Sequence, residues 1–445
     1  MRSYLTQRNL FLLTLIYLLS GFSTVVSYAQ MLTPDDVVRQ VLEHNFSIRI
    51  VRLDEEVLRN NVTLGNAGFL PRVDATAGTS NSMVNTSQEY LSGEKNERDK
   101  AKSGSLNAGA AMQWTLFDGL RMFNSYATLR KELEAGELRT RLQIENSVAD
   151  ALEAYYNMVQ LKQKKVVLEK AVKLGEERRG IAQDMLMLGA GSRLSLLQAE
   201  VDLNTDKSQL LELDNMIANA GIALNRSMGR DAATPVAVKD SILPGPVLDY
   251  ATLKTQMQRT NPTLLLSQTD LEIAERNLDN ITGQRLPVLN FNLGYNFNDQ
   301  TSESGFLKAS RSSGLNYGFT ASLPLFDGFN LNRRRQNARI GVEQADVAYQ
   351  NYLNALGAEL LSTYSKYTNR LSMVLFEKEN SSTAGINFDI AGERFRLGEM
   401  SGIEYREAQK NFLLANERLI NAQFEVRLLE IRLQQLSGSL LEGER

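Results

Sequence analysis

The 445-residue chain has no cysteine, one histidine, one tryptophan and eight prolines. Without cysteine there is no disulfide framework, no thiolate metal site and no lipid on an N-terminal cysteine. His44 has no second histidine to work with, so a zinc centre or a histidine-based catalytic triad lacks its residues. The glycine-rich stretch GAGS at 189–192 has neither the spacing nor the lysine of a phosphate loop and reads as a turn between helices. Lysine and arginine number 49 against 52 acids, a formal net charge of −3, so no electrostatic case exists for a nucleic-acid partner. These absences exclude an enzyme, a resident cofactor and a protein-built metal site as expectations. Without an ATP site, any transport has to be driven by a partner.

Long apolar runs are also missing, except at the start. MRSYLTQRNLFLLTLIYLLSGFSTVVSYAQ has Arg2 and Arg8, a short apolar stretch from Leu10 to Leu19, and Ser27-Tyr28-Ala29 as a small-x-small site. The stretch is too short for a spanning helix, so residues 1–29 read as a signal peptide cleaved after Ala29. Cleavage removes two arginines and no acids, taking the formal net charge from −3 to −5.

What the chain does have is a duplication. Leu-Phe-Asp-Gly occurs at 116–119 and again at 325–328. The same offset of 209 maps Tyr155 onto Tyr364, Leu188-Gly189 onto Leu397-Gly398, Ser192 onto Ser401 and Gly229 onto Gly438. Upstream the offset is 216, mapping Asn45 onto Asn261 and Leu70-Pro71 onto Leu286-Pro287. Two copies of one unit follow, the first with seven extra residues between Pro71 and Phe117.

Each copy carries period-two segments. Leu289, Phe291, Leu293, Tyr295 and Phe297 alternate with asparagines and Gly294. Residues 315–325 and 107–116 repeat the pattern, and Val73–Ser80 is a weaker case. About ten residues of alternation suit either a half-buried soluble sheet or strands of a membrane barrel. The Asn and Gly face fits a solvated soluble sheet poorly and a water-filled barrel well. Four strands cannot close, however, and open edges in lipid leave backbone groups unpaired at several kcal/mol each. If these strands enter a membrane, several chains must share one barrel. The segments between them, 81–105 and 298–314, read as polar loops.

The stretches 120–187 and 329–396 contain no proline and carry coiled-coil seams, Val148, Leu152, Tyr155 and Val159 in one and Leu360, Tyr364, Tyr367, Leu371 and Val374 in the other. Each predicts a helix of roughly 100 Å. Their packing partners are 194–228 and 403–437 after the turns, and 34–67 and 250–282 before the strands. Phe117, Asp118 and Gly119, with Phe326, Asp327 and Gly328, then form strand-to-helix corners. Asp118 and Asp327 are expected to cap the helices two or three residues on, with Phe117–Met122 and Phe326–Leu331 as hydrophobic staples. At the turns, Gly189 and Gly398 suit helix C-caps, and Ser401 to Glu404 reads as a capping box.

This duplicated order of helix, Leu-Pro, strand, loop, strand, Leu-Phe-Asp-Gly, long helix, Leu-Gly turn and helix resembles the TolC-like outer membrane efflux proteins from Leu32 to about Gly438. The resemblance implies an α+β membrane protein with four barrel strands per chain, a shared twelve-stranded barrel in a homotrimer, and a long α-helical coiled-coil tunnel in the periplasm. It implies a passive channel-tunnel in the cell outer membrane, set in its lipid and served by a periplasmic adaptor and an inner-membrane transporter. The adaptor is expected at Leu188, Gly189, Ala190, Gly191 and Ser192 and at Leu397, Gly398, Glu399, Met400 and Ser401. Glu404 and Glu407 correspond to acids that ring the closed periplasmic entrance, though Glu404 reads equally as a helix cap. The first copy has Ser195 and Gln198 there, so an acidic ring comes from the second copy alone.

The expected division is 1–29 signal peptide, 30–71 and 250–286 N-terminal helices of the copies, 72–117 and 287–326 barrel hairpins, and 118–230 and 327–438 long helical hairpins. Residues 231–249 link the copies in an equatorial collar, and 439–445 form a tail shorter than some relatives carry. Two rival functions remain, a type I protein-secretion duct and a periplasmic coiled-coil tether with a small soluble sheet.

Overall fold

The structure, a computed structural model, describes residues 31–239, 241–242, 245–304 and 307–441. The expected signal peptide lies outside them, as does most of the tail. In chain order the elements are β1 (Met31–Leu32), α1 (Pro34–His44), α2 (Phe46–Asn61), β2 (Arg72–Glu89), β3 (Lys95–Phe117), α3 (Arg121–Met187), α4 (Arg193–Ser227) and β4 (Ala237–Val238). The second copy follows with α5 (Tyr250–Thr260), α6 (Pro262–Gly283), β5 (Val288–Ser302), β6 (Ala309–Ser322), α7 (Asn330–Arg396) and α8 (Gly402–Ser437). No helix among the described residues is long and apolar enough to cross a membrane. Two compact units divide the chain. One takes the described residues up to Asn45 with Asp150–Gly245 and Asn369–Leu428; the other takes Phe46–Ala149, Pro246–Thr368 and the described residues from Leu429.

In the first unit β1 pairs in parallel with β4, and α1 opens on a capping box in which the Thr33 hydroxyl accepts from Asp36 N–H. The Asp36 carboxyl is held below its ordinary range by hydrogen bonds from the Thr33 side chain and backbone. Val37, Val38 and Val41 of α1, Leu152, Tyr155 and Val159 of α3, and Leu224 of α4 are buried.

The second unit holds the large sheet, in the order β2-β3-β5-β6 with every neighbour antiparallel. β2 and β6 are left as open edges. The register puts Val73, Met112, Leu293 and Tyr317 across from one another in turn, and Trp114, Phe291 and Phe319 likewise. One face is therefore apolar. The other carries Asn292, Asn296, Asn316, Gly109 and Gly318. Along all four strands only Ala101 is buried, so neither face lies against a core of this chain.

The duplication persists down to single hydrogen bonds. Tyr155 donates to the Leu32 carbonyl, and its copy Tyr364 donates to the Leu248 carbonyl. Asn45 Nδ2 donates to Ser227 O at 2.8 Å, and Asn261 Nδ2 to Leu436 O at 2.9 Å. These asparagines correct the single helices expected over 34–67 and 250–282. Both take extended backbone at ψ near 120°, breaking α1 from α2 and α5 from α6. Each break leaves a side chain free to tie a helix carbonyl from the far end of its copy.

The strands depart from expectation at both ends. β2 and β3 run through most of the stretch read as a polar loop, leaving only Tyr90–Glu94 as the turn. Likewise β5 and β6 extend to Ser302 and from Ala309. Continuing the ladder satisfies the backbone whatever the side chains are, so the hairpins outlast the apolar alternation. β6 in turn stops at Ser322, short of the expected 325, where Pro324 has no N–H to offer a ladder.

The corners also differ in detail. Gly119 and Leu120, and Gly328 and Phe329, all take left-handed backbone. This two-residue twist delays the helix, so Asp118 accepts from Met122 N–H at 3.1 Å and Asp327 from Leu331 N–H at 2.7 Å, four residues on. The ring contacts there are Phe69 with Phe123 and Phe326 with Phe329.

Candidate functional site

Both helical hairpins turn within the first unit, and the two turns are built alike. Gly189 and Gly398 have φ of +73° and +77°, a backbone that glycine adopts at least cost. Ala190 N–H reaches Met185 O and Glu399 N–H reaches Arg394 O, each at 2.9 Å, satisfying the last helix carbonyls. Ser192 then caps α4, accepting from Ser195 N–H at 3.1 Å, and Ser401 caps α8, accepting from Glu404 N–H at 3.2 Å. Leu188 and Leu397 stand 82% and 71% exposed at the turns, followed by exposed Leu194 and Ile403 one step into the next helices.

The two sequence-predicted acids have different surroundings. Glu404 returns to its own cap, accepting from Ser401 N–H at 3.0 Å and from the Ser401 hydroxyl at 2.8 Å. Those bonds hold its carboxyl below the ordinary range. The capping box is complete. Glu407 is exposed one turn on, with no hydrogen bond or ion pair to any described residue.

Behind the tips lies a cluster that reading the sequence alone does not find. Asp206 of α4, its side chain only 2% exposed, receives both Nη atoms of Arg406 of α8 at 2.6 and 2.7 Å. Arg178 of α3, nearly as buried, holds Asp202 at 2.7 Å, and Arg406 Nε lies 3.7 Å from the same carboxylate. Gln409 accepts from Arg406 and donates to Ala171 O at 3.1 Å. The hydrogen bonds to Asp206 raise Arg406 above its ordinary value, against the opposing effect of burial. Three helices from both copies are thus joined by charge. The copy comparison holds the missed signal: Asp202 and Asp206 map onto Asn411 and Ala415, and Arg406 onto Leu197. Charges kept in one copy and dropped in the other set these positions apart from the repeat without naming the partner of each.

The second hairpin also carries an aromatic stack. Phe395 and Tyr405 lie 4.9 Å apart at 7°, Tyr405 and Phe388 at 5.5 Å, and Phe388 and Phe412 at 5.2 Å. Burial pushes the Tyr405 hydroxyl's pKa up. Their counterparts in the first copy are Leu186, Leu196, Arg179 and Leu203.

His44 is exposed at the end of α1, 3.6 Å from Glu43. Among the described residues no three His, Asp or Glu side chains converge as a metal site.

Residues 37–230 and 253–439 match the model of a family described as outer membrane efflux protein. The chain is 22% identical to protein CyaE of Bordetella pertussis, over 86% of this chain and 80% of that one. It is 19% identical to the outer membrane efflux protein BepC of Brucella suis, over 95% and 89%. Among solved structures, the Campylobacter jejuni CmeC outer membrane channel superposes with a TM-score of 0.77 at 18% identity, covering 94% of this chain and 91% of that one.

Proposed function

Because the chain belongs to the outer membrane efflux protein family, we propose that it works as one third of a passive export duct opened by partner proteins. It is an outer membrane duct protein whose helices extend into the periplasm. In the proposed assembly, three copies pair β6 of one chain with β2 of the next and close a twelve-stranded barrel. The observation that carries this reading is the bare sheet, with two open edges, an apolar face, an Asn and Gly face, and one buried residue. A soluble tether with a half-buried sheet would bury one face. The barrel leaves the apolar face to lipid and the polar face to water.

The helical hairpins of three chains line the periplasmic tunnel in this reading. The exposed apolar tips at 188–192 and 397–401 are the surface offered to an adaptor, behind which an inner-membrane transporter supplies energy. Cargo is set by those partners, so the same duct serves efflux or protein secretion. Glu407, exposed and unengaged, is the acid free to face the threefold axis. Glu404 contributes its charge while it caps. Three copies of each place six carboxylates near one axis, a site for multivalent cations.

Single-channel conductance in planar bilayers tests this. The protein is expected to form cation-preferring channels, blocked from the periplasmic side by trivalent ions, with Glu407→Gln weakening the block and leaving trimer stability unchanged. An unaltered block in the Glu404→Gln/Glu407→Gln variant would remove both acids from the constriction.

A further inference from the structure

The outward face of the sheet changes character at the hairpin end, away from the helices. Strand alternation carries the apolar face up β3 through Ala108 and Leu106 to Gly104 and Lys102. Across β2 these rows hold Ala77, Thr79, Asn81 and Met83; across β5 the first three hold Phe297, Asp299 and Thr301. Where the apolar rows end, Gly104 opens a hollow of about 690 Å³ lined by Asn81, Met83, Lys102, Thr301, Glu303 and Lys308. A side chain at 104 would fill it. Its Cβ would stand 2.8 Å from Asn81 Oδ1 and 3.3 Å from Thr301 Oγ1.

The charges around the hollow are unevenly satisfied. Asp299 is taken by Arg311, which donates from Nε at 3.2 Å and Nη2 at 2.7 Å while its guanidinium lies over Phe297. Glu303 accepts the backbone N–H of Lys102 at 2.9 Å. The ammonium groups of Lys102 and Lys308 have no carboxylate within ion-pair distance among the described residues. Lys102 thus stands two rows beyond exposed Leu106 on the apolar face, and Lys308 lines the same hollow; further down that face come exposed Tyr295, Leu315 and Tyr317. That arrangement matches an anionic headgroup with its acyl chains running down the apolar rows.

We propose that this rim hollow binds the phosphate of a glycolipid in the outer leaflet, with Lys102 and Lys308 on the phosphate and Asn81 and Thr301 as neutral hydrogen-bonding groups. The inference rests on the reading that the apolar face meets lipid. Charge complementarity and continuity with the apolar rows favour a membrane lipid over a free anion.

The test uses the full protein extracted from outer membranes, with bound lipid counted by native mass spectrometry. Lipid A carrying two phosphates, dephosphorylated lipid A with the same acyl chains, and inorganic phosphate are compared as probes. Lys102→Ala/Lys308→Ala should lower binding of the diphosphorylated lipid about tenfold, whereas Lys95→Ala, near the hairpin turn, leaves it unchanged. Wild-type retention by the double variant, an equal loss in Lys95→Ala, equal binding of dephosphorylated lipid, or displacement by inorganic phosphate would each overturn the proposal. Heat-modifiable trimer bands from the same preparations separate the two failures. With the bands present, a negative result overturns the lipid site alone; without them, the barrel reading fails and the site with it.

Discussion

Asp206 keeps almost none of its side chain in water, and both Nη atoms of Arg406 meet its carboxylate. Removing one partner of such a pair strands the other charge, which costs about 3–5 kcal/mol, whereas replacing both with apolar groups is often close to neutral. Arg406→Leu is thus expected to raise hydrogen exchange across 170–180 and 402–410, and Asp206→Leu/Arg406→Leu to restore most of the protection. Equal loss in both variants would mean that packing, not charge, joins the helices there. The comparison of copies sets these charges apart, but their pairing was not legible in the sequence, because Asp206 and Arg406 are 200 positions apart. The Glu404 cap was legible because its donor and acceptor are three residues apart, within the reach of a local pattern.

At the scale of elements, the two corners give a matched comparison. Gly119 and Gly328 have φ of +77° and +68°, so alanine at either costs about 1–2 kcal/mol of backbone strain. The surroundings differ. A Cβ at 119 would fall 2.2 Å from the carbonyl oxygen of Gly283 at the end of α6, while at 328 it meets only the Asn330 side chain at 3.6 Å. Gly119→Ala should therefore reduce assembled protein far more than Gly328→Ala, read as trimer yield and its melting temperature. Similar losses at both would show that backbone strain alone governs the corner. Leu-Phe-Asp-Gly announced the corners in the sequence. Their left-handed pairs, and so the four-residue reach of Asp118 and Asp327, were not announced, because Leu120 and Phe329 are not residues that favour such backbone. Strand ends were the least legible feature. Alternation marks where a face meets an apolar medium, but hydrogen-bonded pairing continues beyond it, as in 81–89 and 95–105.

For the whole molecule, the offsets of 209 and 216 carried the architecture, and equivalent hydrogen bonds in each copy repeat them. Among the described residues the sheet ends at β2 and β6, with no further strand paired to either edge. Unpaired edges of this length are unstable in lipid, and pairing β6 to β2 across copies removes both at once. In the proposed assembly three chains complete one barrel. The most direct measurement is the mass of the native particle extracted from outer membranes in detergent, by native mass spectrometry, with the same sample rerun after heating. Three chains are expected before heating and single chains after it. A stable, membrane-inserted particle containing one chain would contradict it.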